Sequence, residues 1–199
     1  MLAEKKEKFK RIEIKIGRFF SKLDWNPDYY TLLSLFFVIF SFYFLTRINL
    51  ILALIFFLFA VFLDLVDGAV ARITNRATKK GAYLDTICDR YVEGIILFGF
   101  FFLPLPYVVF PPKTWIFIAF FGSLMTTYAK AAAKEKGLVI SELKKGFFGR
   151  AERMIMICLA MILGIFNLSL AIYPIIILAV FSNMTAFQRI FLSLNPEKD

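Results

Sequence analysis

Four aspartates, Asp64, Asp67, Asp85 and Asp89, stand close together in an otherwise apolar chain. They lie in the stretch LDLVDGAVARITNRATKKGAYLDTICDR, where two long apolar runs meet. On helices, Asp64 and Asp67 (i, i+3) share one face, and Asp85 and Asp89 (i, i+4) share another. Carboxylates at membrane depth are costly, and four of them repel one another without a partner. A divalent cation is the simplest compensation. Hard oxygen ligands from two facing helices suit Mg²⁺ or Mn²⁺, the ions that usually accompany phosphate chemistry. The chain has no histidine, so any general base must be a carboxylate, lysine, tyrosine or thiolate.

The residues between the acid pairs fit an anionic ligand. Gly68 has no side chain, so a diphosphate or a ring can approach the backbone there. Arg72, one helical turn on, offers a forked donor for a phosphate. Ala71 is small enough for close contact, and Gly81 allows a second close approach. Thr78 could donate its hydroxyl to the same ligand. A second cationic set follows: Lys130 in Tyr-Ala-Lys, then Arg150 and Arg153 at i, i+3 where an apolar run begins. Both arginines can face one pocket, and helix starts favour anions. Topological flanking charge accounts well for Lys134, Lys136, Lys144 and Lys145. It accounts less well for Lys130, Arg150 and Arg153, which lie against or inside apolar runs. Arg189 lies near the end of the last apolar run, where it either binds an anion or snorkels to the interface.

The elements that must carry these residues are membrane helices. The chain has 199 residues, 60% of them hydrophobic, with 26 Phe and a mean hydropathy of +0.72. Such a composition belongs to an integral membrane protein. Six stretches can each cross roughly 30 Å of hydrocarbon: Tyr29–Thr46, Leu50–Ile73, Ala82–Leu103, Thr114–Ala133, Phe148–Phe166 and Ser169–Phe191. The expected fold is all-α, with six transmembrane helices (26–195) behind an N-terminal interfacial amphipathic helix (1–25). In that helix Phe9, Ile12, Ile16, Phe19 and Phe20 follow helical spacing opposite the lysines. Asn26-Pro27 breaks the chain before the first span.

Placing both termini and the loops near 72–81 and 134–150 on one side leaves only Arg47 and Lys113, of 24 Lys and Arg, on the other. The crowded side is then cytoplasmic in a cell-membrane protein, with the acids at that edge. The net charge of +9 is membrane-surface charge; with no nucleic-acid-binding motif, a nucleic-acid partner is not expected. Nothing about Cys88 and Cys158 suggests a disulfide framework, and Cys88 reads as a small buried hydrophobe.

The spacing Asp64-x2-Asp67-Gly68-x2-Ala71-Arg72-x8-Gly81-x3-Asp85-x3-Asp89 resembles the CDP-alcohol phosphotransferase motif, with every fixed position filled. The resemblance implies transfer of a phosphatidyl-type group from a CDP-linked lipid to an alcohol, with release of CMP. It implies Asp64, Asp67 and Asp85 as ligands of Mg²⁺ (or Mn²⁺), with two ions expected. Asp89 would touch the second ion and take the proton of the attacking hydroxyl; a carboxylate base also fits the lack of histidine. Pro27-Asp28-Tyr29-Tyr30-Thr31 is similar to the family's entrance to its first span, which gives Asp28 and Thr31 a nucleotide role beside Gly68, Arg72, Thr78 and Gly81. A homodimer of six-span protomers is implied as well.

Gly146-x3-Arg150-x-Glu152-Arg153, with Tyr128-x-Lys130 upstream, resembles the subgroup making phosphatidylinositol phosphate or its archaeal ether-lipid counterpart. There the cations hold the phosphate of inositol 1-phosphate. The subgroup often has Arg two positions after the Lys; here that residue is Ala132, and Lys134 or Arg189 is the substitute. Glycerol 3-phosphate is the alternative acceptor. A cation transporter is the alternative from another class, although the acids cluster at one edge rather than at the midplane, beside Arg72 and Arg90.

Overall fold

The architecture comes from a computed structural model that describes residues 13–139 and 146–195. Among these residues seven α-helices follow in order. They are α1 (13–20), α2 (Pro27–Thr46), α3 (Leu50–Ile73), α4 (Lys79–Phe100), α5 (Pro112–Glu135), α6 (Arg150–Phe166) and α7 (Ile172–Leu194). Short 3-10 turns at Ser21–Leu23 and Leu168–Ala171 precede α2 and α7. The described residues contain no β-strand, only an isolated bridge between Val108 and Phe110.

Local chemistry sets where the helices start. The Asn26 side chain accepts the Asp28 N–H at 3.1 Å, and Pro27 fills the first turn of α2. Asn49 caps α3 through the Leu52 N–H at 3.1 Å. Thr78 caps α4 through the Gly81 N–H at 2.9 Å. At α6, Glu152 reaches back to accept the Gly149 N–H at 2.9 Å.

Two helix pairs dominate the packing, α2 with α3 and α5 with α7. Helix α4 lies along α2, and α6 bridges α3 to α7. Phe57, Phe100, Ile116, Ile157, Met161 and Leu178 fill the interior. Small residues let the helices close up: a Cβ on Gly99 would strike Leu45, and one on Gly164 would strike Leu50. The Ser41 hydroxyl donates to the Ala53 carbonyl at 2.7 Å and ties α2 to α3. Outward faces are apolar too, with Phe36, Phe59, Phe121, Phe166, Phe187 and Phe191 exposed. A helix apolar on both faces is suited to lipid.

Four helical segments are long and apolar enough to cross a membrane: Pro27–Thr46, Leu50–Ile73, Pro112–Glu135 and Leu168–Leu194. The expected third and fifth spans, now α4 and α6, are not among them. Lys79, Lys80, Asp85, Asp89, Arg90 and Glu93 run from the start of α4 past its midpoint. Helix α6 has only 17 residues, with Arg150, Glu152 and Arg153 in its first turn. Helix α4 gives up hydropathy because it carries site charges, whereas α6 is apolar after its first turn and falls short in length.

Residues 1–12 of the expected amphipathic helix lie outside the described residues. Its described part does more than face an interface. In α1, Gly17 sits so close to the Ala69 carbonyl of α3 that a Cβ would collide with it. Ile16 and Phe20 pack on Tyr30, Leu63, Val66 and Val70.

Candidate active site

The end of α3 and the starts of α2, α4 and α6 meet at one edge of the bundle. Asp64 and Asp67 leave α3 one turn apart, and Asp85 leaves α4. One carboxylate oxygen from each lies within 4.8 Å of the other two. Asp67 is 7% exposed, and the Thr31 hydroxyl on α2 donates to its Oδ2 at 2.6 Å. Three hard-oxygen donors from two helices, one of them oriented by a hydroxyl, fit a divalent cation.

Asp89 is not in that group. Its carboxylate faces Arg150 and, at 3.7 Å, Nη2 of Arg90. Arg150 also forms a two-pronged pair with Asp64, its Nη1 donating to Oδ2 at 3.0 Å and its Nη2 to Oδ1 at 2.8 Å. One half-buried guanidinium thus joins α6 to both α3 and α4, and brings compensating charge to the acids.

The six residues expected around the nucleotide come together. Asp28, Thr31, Gly68, Arg72, Thr78 and Gly81 line one polar cavity of about 190 Å³, with Asp67 and Asp85 on its wall. The two glycines have distinct reasons. A Cβ on Gly68 would meet the Arg72 guanidinium, and one on Gly81 would sit between Asp28 and Thr78. Two of the six are already engaged: Thr31 holds Asp67, and the Thr78 oxygen caps α4. Arg72 pairs with Glu13 of α1, and the neighbouring Arg76 pairs with Asp24 at 2.7 Å. The N-terminal segment therefore touches both arginines of the cavity.

On the other side of the acids a second space opens between α3 and α6. It measures about 630 Å³ and is lined by Ala60, Val61, Met154, Ile155, Cys158 and Ile162, with Asp64 and Arg150 at one end. The carboxylates thus stand between a polar cavity and an apolar groove.

The second cationic set divides. Arg150 is at the acids. Arg153 is 2% exposed and donates from Nε to Glu93 at 2.7 Å and from Nη1 to the Thr126 hydroxyl at 3.3 Å. Arg189 donates to the Thr126 carbonyl at 2.6 Å and lies against Gly146. Lys130 sits on α5, one turn beyond Thr126. Arg150 and Arg153, expected to face one pocket, instead turn to different acids on α3 and α4.

Glu93 and Thr126 organise this region, and the motif does not include them. Glu93 had a signal: a further acid in an apolar run, one turn after Asp89, carries the same burial cost as the four aspartates. Thr126 had none, because a threonine inside an apolar helix is common.

Fold and site define an all-helical protein with membrane-length apolar helices and a carboxylate centre at their common edge. The chain belongs to the CDP-alcohol phosphatidyltransferase family, whose model matches residues 25–187. That makes it a transferase of phospholipid synthesis. It is similar to the archaetidylinositol phosphate synthase of Pyrococcus horikoshii, 31% identical over 192 residues, or 96% of this chain and 95% of that one. It is also similar to a solved Mycobacterium tuberculosis phosphatidylinositol phosphate synthase with CDP-DAG bound. That match is 27% identical with a TM-score of 0.77, over 92% of this chain and 94% of the other. The same enzyme in complex with manganese and citrate matches at 26% identity and a TM-score of 0.77, over 92% and 88%.

Proposed function

We propose that the protein transfers the phosphatidyl- or archaetidyl-type group of a CDP-linked lipid to a phosphorylated alcohol, most plainly inositol 1-phosphate, and releases CMP. The observation that carries this reading is the position of the acids between a polar cavity and an apolar groove. A CDP-lipid has that same division. Its nucleotide suits the cavity of Asp28, Gly68, Arg72 and Gly81, and its tails suit the groove between α3 and α6. The diphosphate between them then lies at Asp64, Asp67 and Asp85.

In the reaction the acceptor hydroxyl oxygen bonds to the lipid-side phosphorus, and the bond from that phosphorus to the CMP oxygen breaks. Asp89 takes the hydroxyl proton. Asp64, Asp67 and Asp85 would hold Mg²⁺ or Mn²⁺, with a second ion near Asp89. Bound metal supplies neutralisation of the diphosphate and of the departing CMP oxygen. Thr31 fixes Asp67 for this task, and Arg72 leaves Glu13 to meet a phosphate. Arg150, with Lys130 and Arg189, receives the acceptor's phosphate, while buried Arg153 braces the site through Glu93.

By the same reading six helices cross the cell membrane, the site and both termini are cytoplasmic, and the protein works as a homodimer. The test is CMP release from a CDP-linked lipid with Mg²⁺ and a panel of alcohols. Inositol 1-phosphate should react best. Preference for glycerol 3-phosphate would reassign the acceptor, and preference for free inositol or serine would remove the phosphate clamp.

A further inference from the structure

Glu93 is an acid that neither the motif nor the cavities use. It lies on α4 one turn beyond Asp89 and is 2% exposed. Its two oxygens serve two arginines: Oε2 accepts from Arg90 Nη1 at 2.6 Å, and Oε1 from Arg153 Nε at 2.7 Å. A carboxylate shared between two guanidiniums has little left for a metal, and Glu93 is outside the Asp64–Asp67–Asp85 group.

Arg90 stands between two acids of its own helix. Its Nη2 is 3.7 Å from Asp89 Oδ2, beyond hydrogen-bond length, whereas its Nη1 is 2.6 Å from Glu93. The Ser123 carbonyl, at 3.5 Å, holds it weakly, and the buried Nε has no partner. The short Glu93 bond is therefore what sets the direction of this guanidinium.

We infer that Glu93 is a positioning residue that holds Arg90 away from Asp89, leaving the Asp89 carboxylate able to receive the acceptor's proton. The inference rests on the proposed role of Asp89. A guanidinium drawn onto the Asp89 carboxylate competes with the acceptor hydroxyl for its lone pairs and for the space in front of them. Asp89 has two cationic neighbours, and they differ. Arg150 belongs to the set that meets the acceptor phosphate, so its hold on Asp89 loosens when that phosphate arrives. Arg90 is enclosed by α4 and α5 and has no such alternative. Without Glu93 it closes on Asp89.

The test follows CMP release by the full chain in lipid vesicles with Mn²⁺. Glu93→Gln should lower kcat roughly ten- to a hundred-fold and leave the KM for the CDP-lipid unchanged. Adding Arg90→Gln should raise kcat again by about fivefold or more, as expected when a blocking ion pair is removed. The melting temperature of the double variant should stay low, because Arg153 still lacks its carboxylate. Recovered turnover without recovered stability is an outcome that a purely structural Glu93 would not give. A double variant as slow as Glu93→Gln overturns the inference. So does a Glu93→Gln enzyme with wild-type kcat, or one whose loss lies in the KM for the lipid. Where Glu93→Gln does not fold, Glu93→Asp, which keeps the charge but retracts it by one methylene, takes its place with the same outcomes. Asp89→Asn runs alongside: an active variant removes Asp89 as the base, whereas an inactive one with a failed rescue overturns only the role of Glu93.

Discussion

At the scale of single residues the acids depend on their neighbours. Asp64, Asp67 and Asp85 bring three carboxylate oxygens within 4.8 Å of one another, an arrangement whose repulsion a divalent cation relieves. Asn at any of the three should abolish turnover and Mn²⁺ binding together, read by CMP release and by the loss of metal-dependent thermal stabilisation. EDTA should silence the wild type, and full activity in a metal-free assay would refute the metal site. Thr31→Val is the subtler variant. It keeps the side-chain shape but deletes the 2.6 Å hydrogen bond to Asp67. Loss of a hydroxyl that orients a metal ligand typically costs about ten- to a hundred-fold in affinity. Titrating activity with Mn²⁺ should show the requirement rising by about that factor, with turnover largely restored at saturation. The four aspartates were legible in the sequence because uncompensated charge among apolar residues needs a reason. Glu93 was equally conspicuous by that measure and was missed because it lies outside the motif. The pairs Arg72–Glu13 and Arg76–Asp24 were not legible, since they join segments that only the folded chain brings together.

At the scale of helices the determinants are close approach and caps. Asn183 on α7 donates to the Ile118 carbonyl of α5 at 2.9 Å and to the Ala179 carbonyl of its own helix at 2.8 Å. Gly122 makes room for it, and a Cβ there would overlap the Asn183 amide. Gly122→Ala should therefore force the amide aside, leaving polar groups unpaired between α5 and α7. Overpacking of this kind costs about 1–3 kcal/mol, read as a lower melting temperature in detergent with an unchanged KM for the CDP-lipid. An unaltered melting temperature would show that the α5–α7 contact yields easily. The start of α2 could be read from Asn26-Pro27, because capping is local. The direction of Arg153 could not. Its i, i+3 relation to Arg150 is true of the helix, but α6 lies between acids of α3 and α4: Arg150 reaches Asp64 and Asp89, while Arg153 turns to Glu93. Spacing alone does not decide such a contest.

At the scale of the whole molecule the prediction is that six helices cross the bilayer. Helix α4 is rich in charge and α6 is short, yet both run the length of neighbours that qualify as spans. Helix α4 begins beside Asp28, near the start of α2, where Gly81 faces that side chain. It ends beside Leu45, where Gly99 packs and Phe98 stacks on Phe42 with ring centroids 5.7 Å apart. Helix α6 starts with Arg150 at Asp64 and finishes with Gly164 against Leu50, beside the α2–α3 turn. At 1.5 Å per residue α4 is about 33 Å long and α6 about 25 Å, enough to cross with modest thinning or snorkelling for the shorter one. Six crossings put Arg47 and Lys113 on one side, and Lys80 and Lys136 on the other. The prediction is tested on single cysteines placed in a Cys88→Ala/Cys158→Ala background. In intact cells, Arg47→Cys and Lys113→Cys should react with a membrane-impermeant maleimide. Lys80→Cys and Lys136→Cys, both at exposed positions, should react only after the membrane is opened. Labelling of Lys80→Cys and Lys113→Cys from the same side would mean that α4 does not cross, and the six-span topology would fall.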